Sequence, residues 1–243
     1  MKKSRLNELK KDESRIIVAL DYDDLAKAKE LVAQLDPKLC KLKVGKEMFT
    51  LFGPEWVRYL VNDGFQVFLD LKFHDIPNTV AKACKAAAEL GVWMVNVHAS
   101  GGMKMMSAAV DALAAYGNKR PLLTGVTILT SMDQAQYDNI GYQKPINEQV
   151  LHFASMTKQV GLDGVVCSAL EASSLSKVLG SDFKLVTPGI RPAGSDKDDQ
   201  SRVMTPVKAI QAGASYLVIG RPITQADNPL DVLCEISETL AFN

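Results

Sequence analysis

Short apolar runs alternate with amphipathic stretches along the chain. Segments with apolar residues at helical spacing, such as DLAKAKELVAQL (24–35) and TVAKACKAAAEL (79–90), separate the runs. The runs have the length and the Val, Ile and Leu content of buried strands, and the alternation predicts a parallel sheet with a helix after each strand. The eight predicted strands span 15–21, 40–45, 65–73, 93–99, 122–130, 164–169, 184–190 and 216–221.

Eight strand–helix units within 243 residues fit a closed (β/α)8 barrel, the TIM barrel of the α/β class. We expect residues 1–243 to form this single domain, with about the first 14 residues as an N-terminal extension or helix. An open doubly wound sheet is the alternative that the pattern leaves. The longest irregular segment, RPAGSDKDDQSRVM (191–204), is typical of a mobile loop over a site.

Composition narrows the function classes. Lys+Arg and Asp+Glu both total 28, so the chain lacks the excess positive charge of proteins that bind nucleic acid or anionic membranes. It has no apolar run of membrane-spanning length and no signal-peptide pattern. The four cysteines stand apart with no metal-binding spacing, which indicates buried, reduced thiols. We therefore expect a cytoplasmic protein that binds neither nucleic acid, membrane nor structural zinc.

Polar residues gather where the predicted strands end, which is where barrels of this class carry their active sites. Asp70 and Lys72 are two positions apart and so share the inward face of the third strand. A buried ion pair has a large desolvation cost, so its position favours a functional role over a salt bridge that fills the barrel. Asp75 alone has a simple local interpretation, as the N-cap of a helix beginning near Pro77. The other polar strand ends are Asp21, Lys43, Asn96, His98, Thr130 and Ser131.

The seventh and eighth strands end in TPGIRP (187–192) and IGRP (219–222). Each motif places a glycine, whose backbone can approach a ligand closely, next to an arginine that can bind an anion through two hydrogen bonds. Barrels commonly hold a phosphate between these two loops. Arg191 and Arg221 are therefore predicted to bind phosphate rather than solvent alone, and Gln200 in the loop could add an amide contact.

Taken in order, these motifs resemble the orotidine 5'-phosphate decarboxylase family of bacterial type over nearly the whole chain. The residues that carry the resemblance are ALD (19–21), KVG (43–45), DLKFHDIPNTV (70–80), LTS (129–131), TPGIRP (187–192) and GRP (220–222).

The resemblance implies conversion of orotidine monophosphate to uridine monophosphate and carbon dioxide in pyrimidine biosynthesis, with no cofactor and no metal. Lys72 would protonate the carbon that loses carbon dioxide, and Asp70 would orient Lys72. Asp75 and Thr79 would act in the neighbouring subunit's site, so the family pattern implies a homodimer with shared active sites. The resemblance assigns Asp21 and Lys43 to the ribose, Thr130 and Ser131 to the pyrimidine, and Arg191, Gln200, Gly220 and Arg221 to the phosphate.

Three rival functions remain at this point. A related sugar-phosphate decarboxylase or aldolase would need magnesium to stabilise an enediolate, and a Schiff-base aldolase would use Lys72 as a nucleophile. A non-catalytic barrel that binds a phosphoribosyl ligand would not explain why Asp70 and Lys72 are paired at the end of a strand. The three histidines, including His98 at a strand end, receive no catalytic role.

Overall fold

Eight parallel strands close into one barrel in the computed structural model, which describes residues 14–192 and 204–241. Each strand pairs with the next along the chain, and β1 pairs with β8. The predicted barrel is therefore confirmed, and the open doubly wound sheet is wrong. The strands are β1 (Ile16–Leu20), β2 (Lys41–Gly45), β3 (Val67–Phe73), β4 (Met94–His98), β5 (Leu122–Val126), β6 (Gly164–Val166), β7 (Lys184–Thr187) and β8 (Tyr216–Ile219).

Most strands end earlier than the apolar runs predicted. The largest difference is at β5, which ends at Val126, whereas the run continues to Thr130. Residues 127–130 leave the sheet although Thr127 and Ile128 are still buried. Asp21, Thr130 and Ser131 thus lie on short loops at the carboxyl rim of the barrel, whereas the polar strand ends of β2, β3 and β4 lie within their strands.

The helices surround the barrel, and local chemistry sets several of their ends. Asp24 caps the first helix through the backbone N–H groups of Ala26 and Lys27. Gly161 adopts the left-handed conformation that ends the sixth helix. The helices are α1 (Leu25–Val32), α2 (Lys46–Asn62), α3 (Pro77–Glu89), α4 (Gly102–Ala114), α5 (Gln134–Asn139), α6 (Ile146–Val160), α7 (Ala172–Leu179), α8 (Pro206–Gln211), α9 (Arg221–Thr224) and α10 (Pro229–Ala241).

The start of α3 corrects one prediction. Pro77 occupies the first turn as expected, but the N-cap residue is Ile76, and no side chain caps the helix. The carboxylate of Asp75 accepts a hydrogen bond from the Ile76 N–H at 2.6 Å, one position too early for a cap. Asp75 lies exposed on the loop between β3 and α3. Its local interpretation as an N-cap is therefore wrong.

The core has two parts. The large one lies between the strands and the surrounding helices, and a smaller cluster fills the barrel interior. Below that cluster, at the amino end of the barrel, the ammonium of Lys41 lies 4.9 Å from the ring centre of Trp93 and 5.4 Å from that of Tyr216. The interior cluster consists of Ile17, Ala19, Phe68, Met94, Val186, Tyr216 and Val218.

None of the four cysteines forms a disulfide within the described ranges. Cys40, Cys84 and Cys167 are buried as predicted, whereas Cys234 is only partly buried. Burial raises the pKa of Cys84 to about 12 and raises that of Cys40 and Cys167 as well. Within the described ranges, no helix combines the length and the apolar character needed to cross a membrane.

Candidate active site

Four charged side chains of alternating sign line the carboxyl end of the barrel, and we call them the charge row. The Lys43 ammonium lies 3.2 Å from Asp21 and 3.7 Å from Asp70, and the Lys72 ammonium lies 2.7 Å from Asp70. The side chains of Lys43 and Asp70 are nearly buried, with 11% and 12% of their surface exposed. Charge pairing within the row offsets the cost of removing these side chains from water. Asp70 and Lys72 lie next to each other, as the sequence predicted.

An irregularity in β3 directs Lys72 into the cleft. Leu69 pairs with Val95 and Phe73 pairs with Val97, so β3 uses four positions where β4 uses two. Lys72 lies within this bulge with a φ of 53°, the left-handed region that non-glycine residues rarely adopt. Asn96 of β4 lies opposite the bulge, and its side chain contacts both Lys72 and Asp70.

Two adjoining cavities form the cleft around the charge row. The first, of about 320 Å³, is lined by both arginines of the glycine-arginine motifs together with Asp21, Lys43 and Gly220. The second, of about 170 Å³, holds Asp70 and Lys72 at the end of a mainly apolar slot. Lys43, Pro188 and Val218 line both cavities, so the two are continuous. The slot walls are Phe68, Val126, Ile128, Leu129, Val166, Pro188 and Val218.

The first cavity has the donors of an anion site. Arg191 is 8% exposed, and its Nη1 donates to the carbonyl of Ile190 at 3.0 Å. Its buried Nε has no hydrogen-bond partner within the described part of the chain. A buried guanidinium donor without a partner is costly, and an anionic ligand oxygen would remove that cost.

The remaining predicted site residues divide into three groups. Thr130 lines the apolar slot, while its neighbour Ser131 is exposed. Asp75 and Thr79 are exposed outside both cavities, on the loop after β3 and on α3. Gln200, together with most of the predicted loop 191–204, lies outside the described residues.

Two residues at this rim, Asn96 and His98, have no role predicted from the sequence. Asn96 was one polar strand end among several, although an asparagine inside an otherwise apolar strand is an unusual feature that could have singled it out. His98 is half-buried, and its ring lies 5.3 Å from that of His74. Burial, aided by His74, Lys46 and Lys72, lowers the pKa of His98 to about 4, so its imidazole is neutral near pH 7.

Fold and site together define a class: a (β/α)8-barrel enzyme with an arginine-lined cavity and a lysine-carboxylate pair at the end of an apolar slot. Residues 14–236 match the Orotidine 5'-phosphate decarboxylase / HUMPS family. The chain belongs to this family, as the sequence motifs predicted.

Similar proteins agree with the family match. The chain is 64% identical to the orotidine 5'-phosphate decarboxylase of Vibrio atlanticus, across 95% of this chain and 100% of that protein. It is 62% identical to that of Pseudoalteromonas translucida, across 93% and 97% of the two chains. The crystal structure of orotidine 5'-phosphate decarboxylase from Lactobacillus acidophilus superposes with a TM-score of 0.84 at 40% identity, covering 94% of this chain and 99% of that one.

Proposed function

We propose that the chain converts orotidine 5'-phosphate to uridine 5'-phosphate and carbon dioxide, with Lys72 as the proton donor. One observation carries the mechanistic part: the Lys72 ammonium is paired with Asp70 at 2.7 Å, at the end of an apolar slot continuous with a cavity that contains two arginines. The names of relatives more than 60% identical over nearly the full length support the choice of substrate.

Each part of the nucleotide has its own region of the cleft in this proposal. The phosphate binds Arg191, Arg221 and the backbone at Gly220, and the ribose hydroxyls contact Asp21 and Lys43. The flat pyrimidine enters the slot, where apolar walls suit its faces and Thr130 supplies a hydrogen bond to its edge. Ser131 adds a further hydrogen bond to the pyrimidine and Gln200 completes the phosphate contacts, two assignments that rest on the family resemblance alone.

Decarboxylation breaks the bond between the ring and its carboxylate. The electron pair stays on the ring carbon, carbon dioxide leaves, and Lys72 donates the proton that forms the new carbon–hydrogen bond. The ammonium, fixed in advance beside the slot, stabilises the negative charge as it develops, in place of a cofactor. Each tenfold gain in rate corresponds to about 1.4 kcal/mol of transition-state stabilisation.

Phosphate binding at the far end also contributes to catalysis. The phosphate lies away from the bond that breaks, so its contacts act by holding the ring against the charge row. The continuity of the two cavities through Lys43, Pro188 and Val218 is the physical basis for this coupling.

The active protein in this proposal is a homodimer whose cleft receives Asp75 and Thr79 from the partner subunit. Both residues are exposed in the single chain, and Asp75 lies outside both cavities of its own subunit. Ile76, between them, exposes 66% of its surface and adds apolar area that a second copy could cover. In the proposed dimer, Asp75 extends into the partner's charge row, an assignment that rests on the family resemblance.

We further assign the enzyme to the cytoplasm, where thiols stay reduced, because Cys40, Cys84 and Cys167 are buried and no disulfide occurs within the described ranges.

The test is an ultraviolet assay of orotidine 5'-phosphate consumption with three proteins. The natural chain is expected to turn over, Lys72→Ala to lose turnover, and Lys177→Ala, an exposed lysine on α7, to keep it. Lys72→Ala should still bind uridine 5'-phosphate through the phosphate site, as measured by calorimetry. Undiminished turnover of Lys72→Ala would refute the proton-donor role, and borohydride trapping of substrate on Lys72 would instead favour a Schiff-base enzyme.

A further inference from the structure

The bulge in β3 removes part of the hydrogen-bond ladder between β3 and β4. Between the pairs Leu69–Val95 and Phe73–Val97, the stretch 70–72 of β3 faces the single residue Asn96 of β4. Backbone N–H groups in such a gap need another partner when they are buried. The gap therefore raises the question of what holds Lys72 in its left-handed conformation.

The side chain of Asn96 fills this gap with both halves of its amide. Its Oδ1 accepts a hydrogen bond from the backbone N–H of Lys72 at 2.8 Å, and its Nδ2 donates to Oδ1 of Asp70 at 2.7 Å. The same Asp70 oxygen accepts from the Lys72 ammonium at 2.7 Å. Asn96 thus connects both ends of Lys72, directly at the backbone and through Asp70 at the ammonium.

The surroundings make this arrangement specific to asparagine. The side chain is 0% exposed, so an unpaired polar atom there would be costly. The Lys72 N–H requires an acceptor and the Asp70 carboxylate requires a donor. Aspartate lacks the donor when ionised, and serine or alanine is too short to reach both groups.

We propose that Asn96 is a positioning residue for Lys72: it holds the β3 bulge and fixes the Lys72 ammonium against Asp70. This inference rests on the proposed role of Lys72 as proton donor. Lys72 is the single non-glycine residue with positive φ in the described ranges. Without Asn96, the Lys72 N–H loses its acceptor and the Asp70 carboxylate loses a donor, so neither the bulge nor the Lys72 ammonium is held in place.

The first test separates chemistry from binding. Asn96→Ala is expected to lower kcat by about a hundredfold, the loss that small misplacements of reacting groups cause, and to change KM by less than about threefold. The affinity for uridine 5'-phosphate should stay the same, because the phosphate site is in the other cavity. Thr157→Ala is the matched control: Thr157 is also 0% exposed and hydrogen-bonded, but it lies on α6, outside the cleft. It should lose stability and keep kcat.

The second test uses a nearly isosteric change. In Asn96→Asp, the ionised carboxylate still accepts from the Lys72 N–H but repels Asp70. When protonated, the new carboxyl group can both accept and donate, as the amide does. The kcat of Asn96→Asp relative to the natural enzyme is therefore expected to rise as the pH falls, a profile that a purely structural role would not produce.

A third readout does not depend on turnover. With ¹⁵N-labelled lysine, the backbone amide of Lys72 should exchange slowly with solvent in the natural protein and in Thr157→Ala, and at least about tenfold faster in Asn96→Ala. Equal exchange rates, or an unchanged kcat in Asn96→Ala, would overturn the positioning role. If Lys72→Ala keeps its turnover, the proton-donor proposal fails, whereas loss of turnover in Lys72→Ala with full turnover in Asn96→Ala rejects only the positioning role.

Discussion

The ammonium of Lys43 lies 3.2 Å from the carboxylate of Asp21, and the two side chains differ sharply in exposure, at 11% and 62%. A nearly buried cation is thus held partly by a carboxylate that faces solvent. The Lys43 ammonium also lies 3.7 Å from the Asp70 carboxylate, so Asp21 and Asp70 attract it from two sides.

We therefore expect Asp21→Asn to weaken substrate binding and turnover together. A hydrogen bond to a charged group contributes about 1.5–3 kcal/mol, so kcat/KM should fall by at least about tenfold. Asp23→Asn, which neutralises an exposed carboxylate two residues away, is the control and should behave as the natural enzyme. Steady-state rates of orotidine 5'-phosphate consumption give the result, and equal kcat/KM in the two variants would contradict it.

Shared active sites predict complementation between two inactive variants. In the proposed dimer, Lys72 acts in its own subunit and Asp75 in the partner's, so a heterodimer of Lys72→Ala and Asp75→Ala contains one intact site. Random mixing makes half of the dimers heterodimers, which should restore about one quarter of the natural activity. If heterodimers form, as native mass spectrometry can show, and activity does not return, Asp75 does not act across the interface.

Metal removal separates the proposal from its magnesium-dependent rival. Lys43 contacts both carboxylates of the charge row and Lys72 contacts one of them, so these lysines occupy oxygens that a divalent cation would use. Exhaustive EDTA treatment is therefore expected to leave kcat unchanged. Activity that disappears with EDTA and returns with magnesium would support a metal-stabilised enediolate instead.

His98 predicts a pH dependence of stability. Its pKa is lowered from 6.5 to about 4 in the folded protein, so between these values the unfolded chain binds a proton that the folded chain does not. The free energy of unfolding should therefore fall as the pH drops from 6.5 toward 4. Urea unfolding at several pH values should show a shallower decline for His98→Gln than for the natural protein, with the exposed His152→Gln as the control. Parallel curves for all three proteins would contradict the prediction.

The third strand shows how far the sequence predicts this site. Alternation predicted that Asp70 and Lys72 share a side of β3, and both reach the cleft, although Lys72 does so from a bulge and not by regular alternation. The motifs at the strand ends indicated both the barrel and its family. The bulge was not predictable in the same way, because it is a feature of the pairing between β3 and β4, and the hydrogen bond from Asn96 to Asp70 that accompanies it spans 26 positions. A pattern read along one strand contains no information about the ladder to the next.

Strand ends were the other source of error. The apolar run after β5 continues to Thr130 because residues of the loop also pack against the interior, so hydrophobicity alone could not mark Val126 as the last strand residue. The N-cap interpretation of Asp75 was wrong for a related reason. The position of Asp75 in the sequence suits a helix cap, yet its carboxylate accepts a hydrogen bond from the N–H of the adjacent Ile76. Its proposed role involves a second chain, which no pattern within one chain can display.

Lys41 and Lys43 are successive inward-facing residues of β2, yet they belong to opposite ends of the barrel. Between those ends, the interior cluster around Phe68 and Met94 forms an apolar disk. This disk separates the Lys41 ammonium, which lies over the rings of Trp93 and Tyr216, from the charge row, so the two groups contact different side chains. A substitution at Trp93 should therefore change the free energy of unfolding and leave turnover nearly unchanged.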